Sequence, residues 1–269
     1  VGATLLAVGA YAFVAYASHS WGGYHWARTS NPLSLNLGDN LTSAWDPYLG
    51  IASSDWTQSL ELDTAIVPGE AVRDRSSQKD CAPATGKVEI CNKAYGKIRW
   101  LGVAQIWVSG LHITKGSVKV NDSYFSKAPY NTPAWKMMVM CQEIGHTFGL
   151  DHQDENFGNP NLGTCMDYTN DPDGTLANPD QLSNEHPNTH DYDQLGIIYS
   201  HLDAFAALFG KQSTAPASVG DDVGGSNASD WGKVIRKSGD GRSSLHERDL
   251  GNGHKVFTFV IWANQAGTE

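Results

Sequence analysis

The sequence predicts an α+β fold, a mixed sheet with helices packed on it. Three observations point there. Residues 33–37 (Leu-Ser-Leu-Asn-Leu) and 59–67 alternate apolar and polar side chains on either side of a helical stretch at 46–58, which makes a strand, helix, strand opening. Two further apolar stretches, 102–108 and 117–120, have the composition of strands. Residues 134–148 run without proline behind Thr132-Pro133, an N-cap residue and a proline suited to the first helical position.

Taken in order, residues 1–17 carry no charge and end in Ala15-Tyr16-Ala17, the small-x-small form of a signal cleavage site. Export is the reading we prefer for this run, with a retained core segment or an anchor as the alternatives. A main domain over 18–210 follows. Its second strand stops at Pro68-Gly69, and Cys81 and Cys91 bracket a polar loop at a separation that suits a disulfide. Gly149 ends the long helix. Residues 151–190 are rich in Asn, Asp, Pro and Gly and read as one long loop, which in a compact domain is usually a functional one. A last helix is expected over 192–209. Residues 211–230 have linker composition, and 231–269 hold short apolar strands separated by turns at Gly239-Asp-Gly241 and Gly251-Asn-Gly253. At under forty residues, that C-terminal β appendage cannot build much core of its own and is expected to pack against the main domain.

The formal charge is −10, and the stretch from Asp151 to Asp193 holds ten acidic residues and no Lys or Arg. Such a field opposes nucleic acid and anionic membranes as partners. It is either a solvated loop or a cation site. Thr169-x-Asp171-x-Asp173-Gly174, with Asp180 beyond it, has the outline of a calcium loop, although Thr stands first and Asp last.

The chemistry concentrates in Gln142-Glu-Ile-Gly-His146-Thr-Phe-Gly149-Leu-Asp-His152. Positions 142 and 146 share one helix face, so two ligands can meet one metal. Glu143 lies beside them to take a proton from a metal-activated water. Gly149 permits the turn that swings His152 back as a third ligand, leaving a coordination position open. His112, His186, His190 and His201 have no such context and read as surface or structural residues.

This segment resembles the metzincin signature H-E-x-x-H-x-x-G-x-x-H at every fixed position except the first, which is Gln142. Downstream, Cys165-Met166-Asp167-Tyr168 resembles the Met-turn, the methionine loop beneath the metal in that family. The resemblance implies a twisted mixed sheet, an active-site helix, zinc as cofactor, and a secreted endopeptidase acting on protein or peptide substrates. No stable membrane association is expected once a signal is removed. It implies Gln142, His146 and His152 as metal ligands, Glu143 as general base, Tyr168 as a catalytic residue, and Met166 and Gly149 as structural ones. It also implies that residues 102–108 form an edge strand on which an extended substrate pairs. Cys141 and Cys165 each precede one of the two motifs, so a disulfide between them would tie the motifs together; the alternative is two buried thiols.

Gln142 divides the readings, because an amide oxygen is a weaker zinc partner than imidazole. Either Gln142 ligates through its oxygen, another residue or water takes the position, or the site is degenerate. In the last case the chain is a non-catalytic binding protein that has lost its metal. A third reading makes the β appendage the functional part, as an adhesive or carbohydrate-binding module.

Overall fold

The computed structural model describes residues 19–70, 81–177, 179–204 and 224–264. The signal-like run 1–17 and most of the linker stretch 211–230 lie outside the described residues.

The chain opens with a two-residue strand, β1 (His25–Trp26), and then β2 (Leu33–Asn40), α1 (Asp46–Trp56) and β3 (Leu62–Pro68) follow as the alternation predicts. β2 and β3 pair in parallel, with Leu35 and Leu37 turned into the core. Asp46 and Pro47 start α1 with an acidic first turn and a proline where no helical N–H partner is needed. Next come β4 (Lys87–Lys93), β5 (Trp100–Ser109), β6 (His112–Asn121) and the single turn α2 (Asp122–Phe125). β4 was not expected as a strand, although Val88-Glu89-Ile90-Cys91 alternates. It pairs in parallel with β2 and β6. The Cys81–Cys91 disulfide pins its end, so Cys91 lies in the sheet rather than in a polar loop.

The long helix is α3 (Pro133–Thr147), capped as predicted: the Thr132 hydroxyl accepts from the Trp135 amide at 3.2 Å. α3 packs on β5 and β6, and α1 packs against α3 and β3. Trp56 donates to the Cys141 carbonyl at 3.2 Å and Trp26 to the Thr147 carbonyl at 2.8 Å, so both indoles are buried with their N–H groups satisfied. The last predicted helix is shorter than expected: α4 spans Thr189–Ile198, behind a capping box in which Asn188 and Asp191 exchange hydrogen bonds. Residues 199–204 are not helical, and 205–209 lie outside the described residues.

The C-terminal segment differs most from expectation. It forms β7 (Lys233–Lys237), β8 (Ser243–Gly251) and β9 (His254–Trp262), and β9 pairs antiparallel with β5 over its whole length. The strand order is β3-β2-β4-β6-β5-β9-β8-β7, with β1 added alongside β6. The segment is therefore not an appendage resting on a domain but supplies three strands of a continuous nine-stranded sheet. Its physical reason is visible in composition: β5 and β9 are nearly unbroken apolar runs, as strands covered on both faces must be. It follows that β5 is an interior strand, flanked by β6 and β9, and residues 102–108 are not an edge.

Candidate metal centre

α3 carries Gln142, Glu143 and His146 onto the face that meets β5, and all three are at most 1% exposed. The helix gives way to Gly149 at φ +97°, where a side chain would be strained, and a Cβ there would stand 2.2 Å from the Tyr24 carbonyl oxygen. The sharp reversal returns His152 to His146, with ring centroids 4.5 Å apart and planes nearly perpendicular at 88°.

Each of the three expected ligands is held by a second partner that fixes which atom faces the centre. The Gln142 amide nitrogen donates to the Cys165 carbonyl at 2.8 Å, leaving its Oε1 free. His146 Nδ1 lies 2.9 Å from the Leu150 carbonyl. A carbonyl can only accept, so Nδ1 carries the proton and Nε2 offers a lone pair. His152 Nδ1 lies 3.2 Å from Glu155 Oε1, which orients its Nε2 in the same way. Gln142 Oε1, His152 Nε2 and Glu143 Oε2 are all buried without a hydrogen-bond partner. Buried polar atoms are seldom left so, and a bound cation is one way to satisfy them. One amide oxygen and two imidazole nitrogens, each backed by a carbonyl or carboxylate, suit a zinc ion.

Electrostatics agree with a dry site. Burial pushes the Glu143 carboxyl well above the ordinary carboxylate range, against a hydrogen bond from the Ala104 amide. Burial, and then the neighbouring His152, hold His146 well below the usual imidazole value, so it is the neutral form that a metal requires. Gly102 of β5 makes room for the acid: a Cβ there would stand 2.6 Å from Glu143 Oε1 and from Val139 Cγ1.

The Cys141–Cys165 disulfide ties α3 to the loop bearing Met166. Closing a loop of separation 24 stabilises by about 3–4 kcal/mol in the chain-entropy account. Met166 is fully buried, and its Sδ lies against Gly145, where a Cβ would approach to 2.7 Å. Tyr168 packs its ring on His152 at 4.3 Å and stacks on Phe157 at 4.6 Å. Burial raises its phenol well above the ordinary value, opposed by a hydrogen bond with Ser243. The structure thus sets His146 and Tyr168 against His152, Gln142 against the Cys165 carbonyl, and Met166 against Gly145 of α3.

Several residues that the sequence reading passed over complete the centre. Phe259 of β9 stacks flat on His146, 4.1 Å between centroids and 11° between planes. Arg236 of β7 forks onto the Asp151 carboxylate and reaches Glu155 at 3.2 Å. Arg242 lies 3.6 Å above the Phe157 ring and bonds Asn170. Only the placement of Glu155, three residues after His152, could have been noticed in advance. The others arrive from a segment some ninety residues away. In the acidic loop, Asp171 accepts from the amides of Leu176 and Ala177, and Asp173 accepts from Thr175. Nothing there carries the calcium expectation further.

No protein-family model matches the chain, and no curated protein matches it. Among solved structures, it is similar to high choriolytic enzyme 1, a hatching enzyme zinc-protease from the medaka fish Oryzias latipes. The identity is 8% and the TM-score 0.36, over 67% of this chain and 96% of that one. A likeness this slight carries no argument about this chain.

Proposed function

We propose that the chain is a zinc-dependent endopeptidase whose site is closed in this conformation by its own C-terminal strands. The observation that carries the reading is a set of buried, partnerless polar atoms on α3 and just beyond it, Gln142 Oε1, Glu143 Oε2 and His152 Nε2, with the His146 ring in contact with that of His152. A zinc ion held by Gln142, His146 and His152 would polarise a scissile carbonyl and acidify water.

The remaining steps belong to the protein. Glu143, desolvated and next to Gln142 on α3, takes the proton from water on its carboxylate and passes it to the leaving amine. Tyr168, whose ring lies against His152, offers its hydroxyl to the developing oxyanion. β5 supplies backbone N–H and C=O groups for an extended peptide, the substrate class the site suits. In the closed form those groups are taken by β9, with Ala104 opposite Phe259 and Gln105 opposite Thr258. A substrate therefore needs β7–β9 to move aside. Two disulfides favour an oxidising, extracellular setting, and among the described residues no helix is long and apolar enough to cross a membrane.

The flat seat of Phe259 on His146, together with glutamine at position 142, favours one competing reading, a non-catalytic binding protein that has lost its metal. Both readings are separated by zinc analysis and peptide hydrolysis on the parent, Glu143→Ala and Arg236→Gln. Peptidase activity that rises in Arg236→Gln and disappears in Glu143→Ala is expected. Zinc content unchanged by His146→Ala, with no cleavage by any form, would establish the binding protein instead.

A further inference from the structure

At the start of β1 and β6 and just after α4, four metal-capable side chains meet: His25, His112, His201 and Asp203. We propose that they form a binding site for a divalent transition-metal ion of the zinc class, separate from the centre on α3. Asp203 Oδ1 lies 3.0 Å from His112 Nε2, 3.4 Å from His25 Nε2 and 3.7 Å from His201 Nε2. Donor atoms bound to one tetrahedral zinc at about 2.0–2.1 Å stand roughly 3.3 Å from one another, and the three distances from Asp203 are near that length. His25, His201 and Asp203 offer donors that all lie within 4.8 Å of each other.

The hydrogen bonds around the cluster fix which atoms would face an ion. His25 Nδ1 lies 2.8 Å from the Gly23 carbonyl, so it must donate there, which leaves Nε2 a lone pair facing a carboxylate oxygen. Two acceptors then oppose each other unless a proton or a cation sits between them. Three imidazole nitrogens face the one oxygen Oδ1, those of His112 and His25 at hydrogen-bond distance and that of His201 at 3.7 Å. Asp203 cannot turn away, because its Oδ2 accepts from the Arg28 amide at 2.9 Å and its own amide donates to the Arg28 carbonyl at 2.7 Å. A carbonyl behind His25 and a backbone clamp behind Asp203 are the outer partners that hold metal ligands in place. His25 is buried and the Asp203 side chain is 7% exposed, whereas His112 and His201 stand at the rim with side chains 30% and 55% exposed, which leaves an entry path.

Such an ion would be structural. It would join three segments far apart in the chain, β1, the β5–β6 turn and the stretch after α4, none of which holds a proteolytic residue. Binding to the folded state alone would raise stability with zinc concentration. The test uses the full chain with His146→Ala and His152→Ala, which removes the α3 centre from the measurement. Zinc titration against a competing chelator and thermal melts with and without zinc are then run with and without the added rim substitution His201→Ala. The expected result is one equivalent of zinc and a zinc-dependent rise in Tm in the double variant, with affinity at least about tenfold weaker and the rise lost after His201→Ala. Because His201 is exposed, that change leaves the fold intact. A double variant that binds no zinc overturns the proposal, and so does one whose zinc is indifferent to His201→Ala. Loss of zinc from the parent on His146→Ala and His152→Ala reports on the protease reading instead, so the two stand or fall apart.

Discussion

Gln142 shows how one side chain can carry a motif away from its usual form without dismantling the site around it. Its amide nitrogen donates to Cys165, the residue whose disulfide partner precedes Gln142 in α3, and its oxygen is left buried without a partner. An imidazole in its place could donate from one nitrogen to the same carbonyl and present the other to a metal. We expect Gln142→His to bind zinc roughly tenfold or more tightly, because imidazole is generally the better donor. Competitive titration of parent and variant at neutral pH measures this. Equal affinities would mean that position 142 is not a ligand. Rate need not follow affinity, since a neutral oxygen donor leaves a metal more electron-poor and the water beside it more acidic.

Among the elements, β7 to β9 decide whether the site is reachable. Their hold on the acidic loop is electrostatic as well as apolar: a stretch with no cation of its own receives Arg236 and Arg242 from the C-terminal strands. Burial alone would raise the Asp151 carboxyl, but Arg236 and His152 outweigh it and hold it below its ordinary 3.8. The hydrogen bond from His152 lowers Glu155 below 4.5 against its burial. Depressed folded values stabilise the closed form fully above those ordinary values, and the contribution is lost as pH falls through the folded ones. The melting difference between parent and Arg236→Gln should therefore be constant above pH 4.5 and shrink below 3.8. With Arg236 37% exposed, screening limits the expected loss at neutral pH to about 1–2 kcal/mol. A difference that persists unchanged at pH 3 would show that the guanidinium acts through packing alone.

At the scale of the whole molecule, the sheet is the structural fact with most consequence. One half is parallel and wound with α1 and α3, the other is an antiparallel meander, and the seam between them is the β5–β9 ladder. Phe257, Phe259 and Ile261 of β9 belong to the same core cluster as Met138, Ile144 and Met166. Neither half can open completely without exposing the other's core. Calorimetry should give one cooperative unfolding transition, with calorimetric and van't Hoff enthalpies equal. Two separate transitions would restore an independently folding C-terminal unit.

The local rules were legible in the sequence. Period-two alternation placed β2 and most of β3, Thr132-Pro133 placed the start of α3, and the turn at Gly149 returned His152 to His146, because each depends on neighbours within about ten residues. β4 escaped because its alternation is short and its cysteine drew attention to a loop. What the sequence could not decide was partnership across long separation. Phe259 on His146, Arg236 on Asp151, and His25 and His112 around Asp203 are contacts between residues 85 to 178 positions apart. No local periodicity encodes them. They follow from the order in which strands pair, which is settled when two unbroken apolar runs, β5 and β9, bury each other. That pairing turned an expected open edge into a closed seam, and so only the tertiary structure revealed that the site is covered.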